Sequence, residues 1–189
     1  MLRTKSRPAT YADIEALPAN MVGEIVHGVL HTHPRPSPRH VRASSALGAE
    51  LSGPYDFGRG GPGGWLILDK PELHLGPHVL VPDIAGWRRE RLPRLPDTAY
   101  FETPPDWVCE VLSPSTAGLD RTDKLTAYAA FGVHHCWLVD PLARTLEVLS
   151  LQGGKWLIAE TFKDADAVAA PPFEALTFAL DVLWPADLA

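Results

Sequence analysis

The hydrophobic pattern of the chain alternates between short strand-like runs and helical segments that begin at recognisable caps. Nineteen prolines and fifteen glycines are scattered along the chain, which is typical of a loop-rich α/β protein. In its first third, the pattern predicts a helix opened by the capping box Thr10–Asp13, a hairpin over 23–33 that turns near His27-Gly28, a helix after Ser37-Pro38, and an irregular glycine-rich loop over 53–64.

The remaining pattern predicts a sheet with one helix between two of its strands. In chain order, the expected elements are strands at 65–68, 72–75 and 79–87, a long loop over 88–105, a strand at 106–112, a helix over 120–131 stopped by Gly132, a strand at 134–140, and a hairpin around Gly153-Gly154. An apolar segment follows at 173–184, and the pattern does not decide which secondary structure it forms. The strand–helix–strand unit predicts a parallel, right-handed crossover. We therefore expect an α/β fold with a mixed sheet flanked by helices, built as a single domain over 1–189.

Composition is that of a folded protein and changes this picture little. Of the 189 residues, 46% are apolar and 21% are charged, close to the averages for globular chains. Cys109 and Cys136 both lie in apolar runs, so they are not expected to form a disulfide framework. No run of apolar residues is long enough to span a bilayer, and no secretory signal follows the basic N-terminus. The chain is expected to be cytoplasmic, without a membrane partner.

Charge is spread unevenly along the chain. Residues 1–96 carry 12 lysines and arginines against 9 acids, whereas residues 97–189 carry 5 against 14. The basic residues cluster at Arg3, Lys5 and Arg7, at Arg35, Arg39 and Arg42, and at Arg88, Arg89, Arg91 and Arg94. These clusters could form a basic face for an anionic polymer, or they could be solvated loop charges.

A glutamate in the middle of a predicted buried strand is the first sign of chemistry. Val108, Glu110 and Leu112 share one face of the strand at 106–112, so the acid lies between two apolar neighbours. A buried carboxylate without a partner loses hydration, and its pKa rises. Glu110 therefore needs a cation beside it, either a metal ion or a lysine.

A second acid, Asp83, follows Pro82 in the preceding predicted strand. Adjacent strands are about 4.8 Å apart, so carboxylates on one face of two neighbours can hold one cation. Oxygen ligands favour Mg²⁺ or Mn²⁺ over zinc. Taken alone, Asp83 could be a turn residue at a strand end and Glu110 half of a buried ion pair; the two together predict a metal site.

Lys124 is the third candidate. It lies four residues from both Asp120 and Tyr128 on the predicted helix, so the three form one stripe. With Tyr128 facing the sheet, Lys124 is expected at the rim of the buried face. There it could orient an attacking water or stabilise developing phosphorane charge. The alternative is a surface ion pair with Asp120.

Several segments together resemble a known family. They are Pro82-Asp83, the run from Pro105 to Thr116, the spaced Asp120, Lys124 and Tyr128, Gly132-Val133, and the run from Trp137 to Pro141. These segments are similar to the Uma-type restriction endonucleases, a bacterial family of the PD-(D/E)XK nuclease superfamily. Glu24 with Gly28, and His40, resemble the N-terminal part of the family pattern. The resemblance covers roughly residues 10–150.

The resemblance implies a restriction-endonuclease-like core and Mg²⁺- or Mn²⁺-dependent cleavage of phosphodiester bonds, with a nucleic acid, expected to be DNA, as partner. It implies that Asp83, Glu110 and the backbone carbonyl of Val111 hold the metal. It also implies that Lys124 is the catalytic lysine and Glu24 a supporting acid. A homodimer with two-fold symmetry would suit cleavage of both strands.

One position departs from the superfamily motif, which has a lysine two residues after the acid. Leu112 stands there, so Lys124 would be a relocated lysine. Two further hypotheses therefore stay open: a catalytically silent binding module on the same fold, and a scaffold with an incidental acid pair. His31, His33 and His40 could suggest a zinc site, but histidines of hairpins and surfaces are far commoner.

Overall fold

The computed structural model describes residues 7–184, which form two main β-sheets with helices packed against the larger one. The strands are β1 (Met21–Val26), β2 (Val29–Pro34), β3 (Trp65–Asp69), β4 (Leu73–Leu75), β5 (His78–Leu80), β6 (Ile84–Arg88), β7 (Trp107–Val111), β8 (His135–Asp140), β9 (Thr145–Gln152), β10 (Lys155–Lys163), β11 (Ala167–Val168) and β12 (Phe178–Ala179). The helices are α1 (Tyr11–Glu15), α2 (Pro38–Leu51), α3 (Ala117–Leu119) and α4 (Leu125–Ala130), with π-helical turns at Ser52–Asp56 and Asp120–Lys124 and a 3₁₀ turn at Leu180–Leu183.

The larger sheet has six strands in the order β10-β9-β8-β7-β6-β3. Its central pair, β7 and β8, is parallel, and its other neighbours are antiparallel. Every residue of β7 is buried, as expected for a strand covered on both faces. The predicted mixed α/β sheet is confirmed, and so is the parallel pairing of the strands on either side of the helix.

Two helices cover opposite faces of this sheet. Leu47 and Leu51 of α2 pack with Trp107 on one face. Tyr128 of α4 packs with Leu112 on the other, which is the face that carries Glu110. The acid is therefore buried under the helix that follows its own strand.

The smaller sheet, in the order β2-β1-β5-β4, corrects one prediction. The expected single strand over 79–87 is two strands, because β5 pairs with β1 in the smaller sheet whereas β6 pairs with β3 and β7 in the larger one. Pro82 lies at the break and has no N–H to continue a ladder. Asp83 consequently lies at the seam between the two sheets.

The helix after β7 begins earlier than predicted and is not uniform. Helical structure starts at Ala117 and contains the π-helical turn Asp120–Lys124 before α4. It ends at Ala130, and Gly132, the predicted stop, follows the C-cap Phe131 with a positive φ of 73°. Single π turns often occur at functional sites, and this one carries the predicted catalytic lysine.

Other predictions about local structure are mostly confirmed. The hairpin turns at His27-Gly28 and Gly153-Gly154 have the positive φ values of type I′ turns. The glycine-rich loop differs at its start, because its first residues continue α2 as a π-helical turn. The segment at 173–184, whose secondary structure the sequence left undecided, contains β12 and the 3₁₀ turn. Within residues 7–184, no helix is long and apolar enough to cross a membrane.

Candidate active site

A cavity of about 480 Å³ opens at the seam between the two sheets. Its polar lining is built mainly from acids, lysines, histidines and hydroxyl groups contributed by both sheets and by the helix after β7. The lining includes all five residues predicted from the sequence, namely Glu24, Asp83, Glu110, Val111 and Lys124. Residues as far as 100 positions apart in the chain, such as Glu24 and Lys124, thus meet in one place.

Asp83 is held by three neighbours and is only 5% exposed. Its Oδ2 accepts a hydrogen bond of 2.8 Å from the Val111 N–H and lies 3.1 Å from Nε2 of His40. Its Oδ1 lies 2.6 Å from Nζ of Lys70. Burial opposes ionisation, but the hydrogen bond from His40 and the charge of Lys70 outweigh it and lower the pKa of Asp83 to about 2. Asp83 is therefore an ionised carboxylate at neutral pH.

Glu110 also lines the cavity, but its pKa is shifted in the direction opposite to that of Asp83. One carboxylate oxygen, Oε1, accepts a hydrogen bond of 2.6 Å from the Tyr128 hydroxyl and lies 2.8 Å from Nζ of Lys124. Burial raises the pKa of Glu110 well above its usual range, although Lys124 acts in the opposite direction. The buried acid expected from the strand pattern is present, and its partner within the described residues is a lysine.

Lys124 is more deeply buried than predicted. Its side chain is 2% exposed, so the expected rim position and the alternative of a surface pair with Asp120 are both wrong. Nζ lies 2.8 Å from Glu110, 3.0 Å from Glu24 and 3.5 Å from Asp120. Burial disfavours its charge, but these acids outweigh burial and raise the pKa of Lys124 well above its usual range. Lys124 is therefore a permanent ammonium between carboxylates.

Glu24 reaches the cavity from β1 of the smaller sheet. Its Oε1 accepts a hydrogen bond of 2.7 Å from the Val81 N–H, and its Oε2 lies 3.6 Å from Nε2 of His33. Burial opposes ionisation, but Lys124, His33 and the Val81 N–H lower the pKa of Glu24 to about 2. The position next to Lys124 agrees with a supporting acid on the N-terminal element.

Two residues at this site were not assigned a role by the sequence pattern. His40 follows the N-cap Ser37 by three positions, so its ring projects from the first turn of α2 onto Asp83. Nδ1 of His40 is buried and has no hydrogen-bond partner among residues 7–184. Lys70 follows β3 and reaches Asp83 from a different direction. His40 was part of the family resemblance, but neither it nor the strand-end Lys70 was placed beside Asp83, because only the tertiary fold brings them to the acid.

Comparison with known proteins agrees with the fold. The family Uma2, described as "Putative restriction endonuclease", has a model that matches residues 9–182. The chain belongs to the Uma2 family. The match extends beyond the expected 10–150 and includes the last hairpin and the C-terminal segment. No curated protein matches the chain significantly.

The Uma2 chain also shares its fold with a solved structure. This is a crystal structure from Anabaena variabilis ATCC 29413 described as a "putative nuclease belonging to DUF820". The two are 24% identical, the TM-score is 0.75, and the alignment covers 93% of this chain and 98% of the other. The likeness confirms the expected architecture over the aligned part of the chain.

The donor chemistry of the Uma2 cavity fits a hard divalent cation. Four carboxylates line it, from Glu24, Asp83, Glu110 and Asp120, against the two ammonium groups of Lys70 and Lys124. When all four acids are ionised and the histidines are neutral, two negative charges remain among these six groups, and one remains once the exposed guanidinium of Arg35, which also lines the cavity, is counted. Burial raises the pKa of Asp120, and the charges of Glu24 and Asp83 act in the same direction, so a further cation nearby would favour its ionised form.

The backbone of Val111 adds an oxygen to this set. Because Ile84 pairs with Cys109, the same register places Pro82 opposite Val111. Proline has no N–H to donate to the Val111 carbonyl, and the Val111 N–H is bonded to Asp83 instead. Among residues 7–184, no three side chains of His, Cys, Asp or Glu could hold a metal by themselves. Mg²⁺ commonly uses one or two carboxylates and keeps several waters, so this set is sufficient.

The predicted basic clusters differ in their relation to the site. The group at Arg88, Arg89, Arg91 and Arg94 starts at the far end of β6 from Asp83, roughly 17 Å along the strand. Arg89 and Arg91 pair with Asp56 and Asp106, which makes them structural. Arg35, in contrast, lines the cavity. Arg3 and Lys5 lie outside the described residues.

Proposed function

We propose that this Uma2 protein is a divalent-metal-dependent endonuclease that hydrolyses phosphodiester bonds, with DNA as its substrate. The observation that supports this most is the excess of buried carboxylate over ammonium charge at an open cavity in a nuclease fold. Asp83, Glu110 and the Val111 carbonyl would hold Mg²⁺ or Mn²⁺. Bound there, such an ion polarises a phosphodiester and lowers the pKa of a water molecule.

The residues around the ligands have separate positioning roles in this proposal. His40 and the Val111 N–H fix one oxygen of Asp83. Tyr128 and Lys124 fix one oxygen of Glu110, which leaves its other oxygen free of those contacts. Ligands held in this way lose little conformational freedom when an ion binds.

Lys124 is proposed as the catalytic lysine despite its burial. An ammonium has three protons, and two of them point to Glu110 and Glu24 at 2.8 and 3.0 Å. The contact to Asp120 is long, at 3.5 Å, so the third proton is only weakly engaged. Because Lys124 lines the cavity, that proton is available to orient an attacking water or a phosphate oxygen.

A cleavage assay tests the proposal. Supercoiled plasmid and single-stranded DNA would be incubated with the protein and Mg²⁺, Mn²⁺ or a chelator. We expect cleavage with either ion and none with the chelator. Asp83→Asn and Glu110→Gln should abolish it, whereas Lys155→Gln, at the exposed tip of the β9–β10 hairpin, should cleave like the wild type.

The second candidate is a silent binding module on the same fold. The observation that favours it is Leu112, which occupies the motif lysine position and is packed in the apolar cluster around Tyr128. A protein that binds nucleic acid but leaves plasmid, single-stranded DNA and RNA intact under all ions would be this module. Cleavage that requires Glu110 would exclude it.

Glu24→Gln gives a further prediction for the supporting acid. The amide keeps an oxygen for the Val81 N–H but removes one of the two carboxylates closest to Lys124. We expect the cleavage rate to fall about tenfold or more, as for a lost second-sphere contact, while Mn²⁺ affinity changes little. Rate and affinity would be measured by single-turnover cleavage and calorimetry. A loss of Mn²⁺ affinity equal to the loss of rate would make Glu24 a ligand instead.

A further inference from the structure

The two oxygens of Asp83 are held in different ways. Oδ2 is fixed by the Val111 N–H and by Nε2 of His40, both of which belong to buried residues of the core. Oδ1 has one partner among the described residues, Nζ of Lys70 at 2.6 Å. An incoming cation could take the second oxygen without disturbing the contacts that position the first.

Lys70 combines a backbone held by a hydrogen bond with a side chain that is half exposed. Its N–H donates a hydrogen bond of 3.0 Å to the Asp83 carbonyl, and its φ is +47°, a conformation that residues other than glycine rarely adopt. Its side chain is nevertheless 47% exposed. The turn therefore places a half-exposed ammonium against the carboxylate from the solvent side.

The second lysine at the cavity has the opposite character. Lys124 is 2% exposed and bridges Glu110 and Glu24, so removing it from its acids would leave buried charges without a partner. Asp83 is the one ion-pair partner of Lys70 among residues 7–184, so when Lys70 leaves it, the half-exposed ammonium returns to water. Of these two cations, Lys70 is the one that can be exchanged at low cost.

We propose that Lys70 is an exchangeable counterion of the metal site. It neutralises Oδ1 of Asp83 in the metal-free protein and gives up that oxygen when a divalent cation is bound. The released ammonium, still at the mouth of the cavity, then pairs with a phosphate oxygen of the nucleic-acid backbone. The inference rests on the proposed function and assigns to one side chain both a role in metal selection and a role in substrate binding.

Removing Lys70 is expected to change the affinity for a divalent ion and the affinity for nucleic acid in opposite directions. Without Lys70, Oδ1 has no competing cation, so the affinity for a divalent ion should rise. The same change removes a phosphate contact, so the affinity for nucleic acid should fall. The second effect should require the ion, because Lys70 is otherwise occupied by Asp83. A lysine that only supports the local turn would not produce this pattern.

The experiment compares Lys70→Gln with the wild type, with Lys70→Arg, which retains the charge, and with Lys155→Gln as an exposed control. Mn²⁺ affinity is measured by calorimetry without DNA. Binding of a fluorescein-labelled DNA duplex is measured by anisotropy in Ca²⁺ and in a chelator. We expect Lys70→Gln to bind Mn²⁺ about fivefold more tightly, the scale of one partly exposed ion pair.

In Ca²⁺, Lys70→Gln should bind the duplex about fivefold more weakly, and the slope of log affinity against log salt should become smaller by about one. In the chelator, the variant and the wild type should bind alike. Unchanged Mn²⁺ affinity, or an equal loss of duplex binding with and without Ca²⁺, would overturn the role of Lys70. A wild type that binds no Mn²⁺ at all would instead overturn the proposed function and this inference with it.

Discussion

Replacing Lys124 with alanine is expected to lower the free energy of unfolding by about 3–5 kcal/mol, the cost of leaving buried charges without their partner. The expectation follows from the 2% exposure of this side chain and its contacts to Glu110 and Glu24. Single-turnover cleavage should fall by ~10²-fold or more, as when one positioned donor is lost. Denaturant unfolding and cleavage would be measured for the same preparations.

Two comparison variants show how much of the stability loss expected for Lys124→Ala comes from the unpaired buried charges. Lys155→Ala removes an exposed lysine and should change the free energy of unfolding by less than about 0.5 kcal/mol. Lys124→Met combined with Glu110→Gln removes the ammonium together with its nearest acid. Since apolar replacements of buried ion pairs are often well tolerated, this pair should recover part of the stability but none of the cleavage. A loss below about 1 kcal/mol for Lys124→Ala would contradict the buried network, because that is the scale of a surface pair.

The second large effect concerns added metal. At an ion concentration a hundred times the dissociation constant, binding should stabilise the folded protein by about 2.7 kcal/mol. For a chain of this size that corresponds to a rise in melting temperature of about 5–10 °C. The physical reason is that the ion relieves the excess of negative charge among Asp83, Glu110 and their neighbours. Differential scanning fluorimetry with Mg²⁺, Mn²⁺ and a chelator would measure it.

Variants of the proposed ligands provide the comparison for that measurement. Asp83→Asn and Glu110→Gln should each abolish the rise, whereas the response of Lys155→Gln should match that of the wild type. Glu110→Gln keeps an acceptor for the Tyr128 hydroxyl, so it tests the charge without removing the hydrogen bond. An undiminished rise in both ligand variants would place the ion elsewhere on the protein.

The strand pattern was sufficient to predict the sheet and its central acid. An apolar run with one carboxylate in the middle predicts a buried strand whose acid needs a cation, and Glu110 is found in that situation. The helical spacing likewise placed Lys124 and Tyr128 on one face, and both contact Glu110. These inferences succeed because they depend only on period and burial.

The burial depth of Lys124 and the contacts between distant elements could not be predicted from the sequence pattern in the same way. The four-residue spacing puts Lys124 beside Asp120, but it does not determine how closely the helix packs against the sheet. For this reason, the lysine was expected at the rim of the buried helix face. Pro82 was recognised as an interruption, but a change of sheet at that point depends on β5 pairing with β1. His40 and Lys70 meet Asp83 from elements 43 and 13 positions away. No local pattern encodes such meetings.

The central claim is that Asp83 and Glu110 hold a divalent ion at the seam between the sheets. Anomalous diffraction from crystals grown with Mn²⁺ tests it most directly, because the method locates the ion itself. We expect one strong peak within about 2.0–2.4 Å of Oδ1 of Asp83 and of a Glu110 carboxylate oxygen, at distances typical of hard cations. The Val111 carbonyl should complete the set, and Nζ of Lys70 should have left Asp83. A Mn²⁺-saturated crystal with no peak there, and with Lys70 still on Asp83, would contradict the claim.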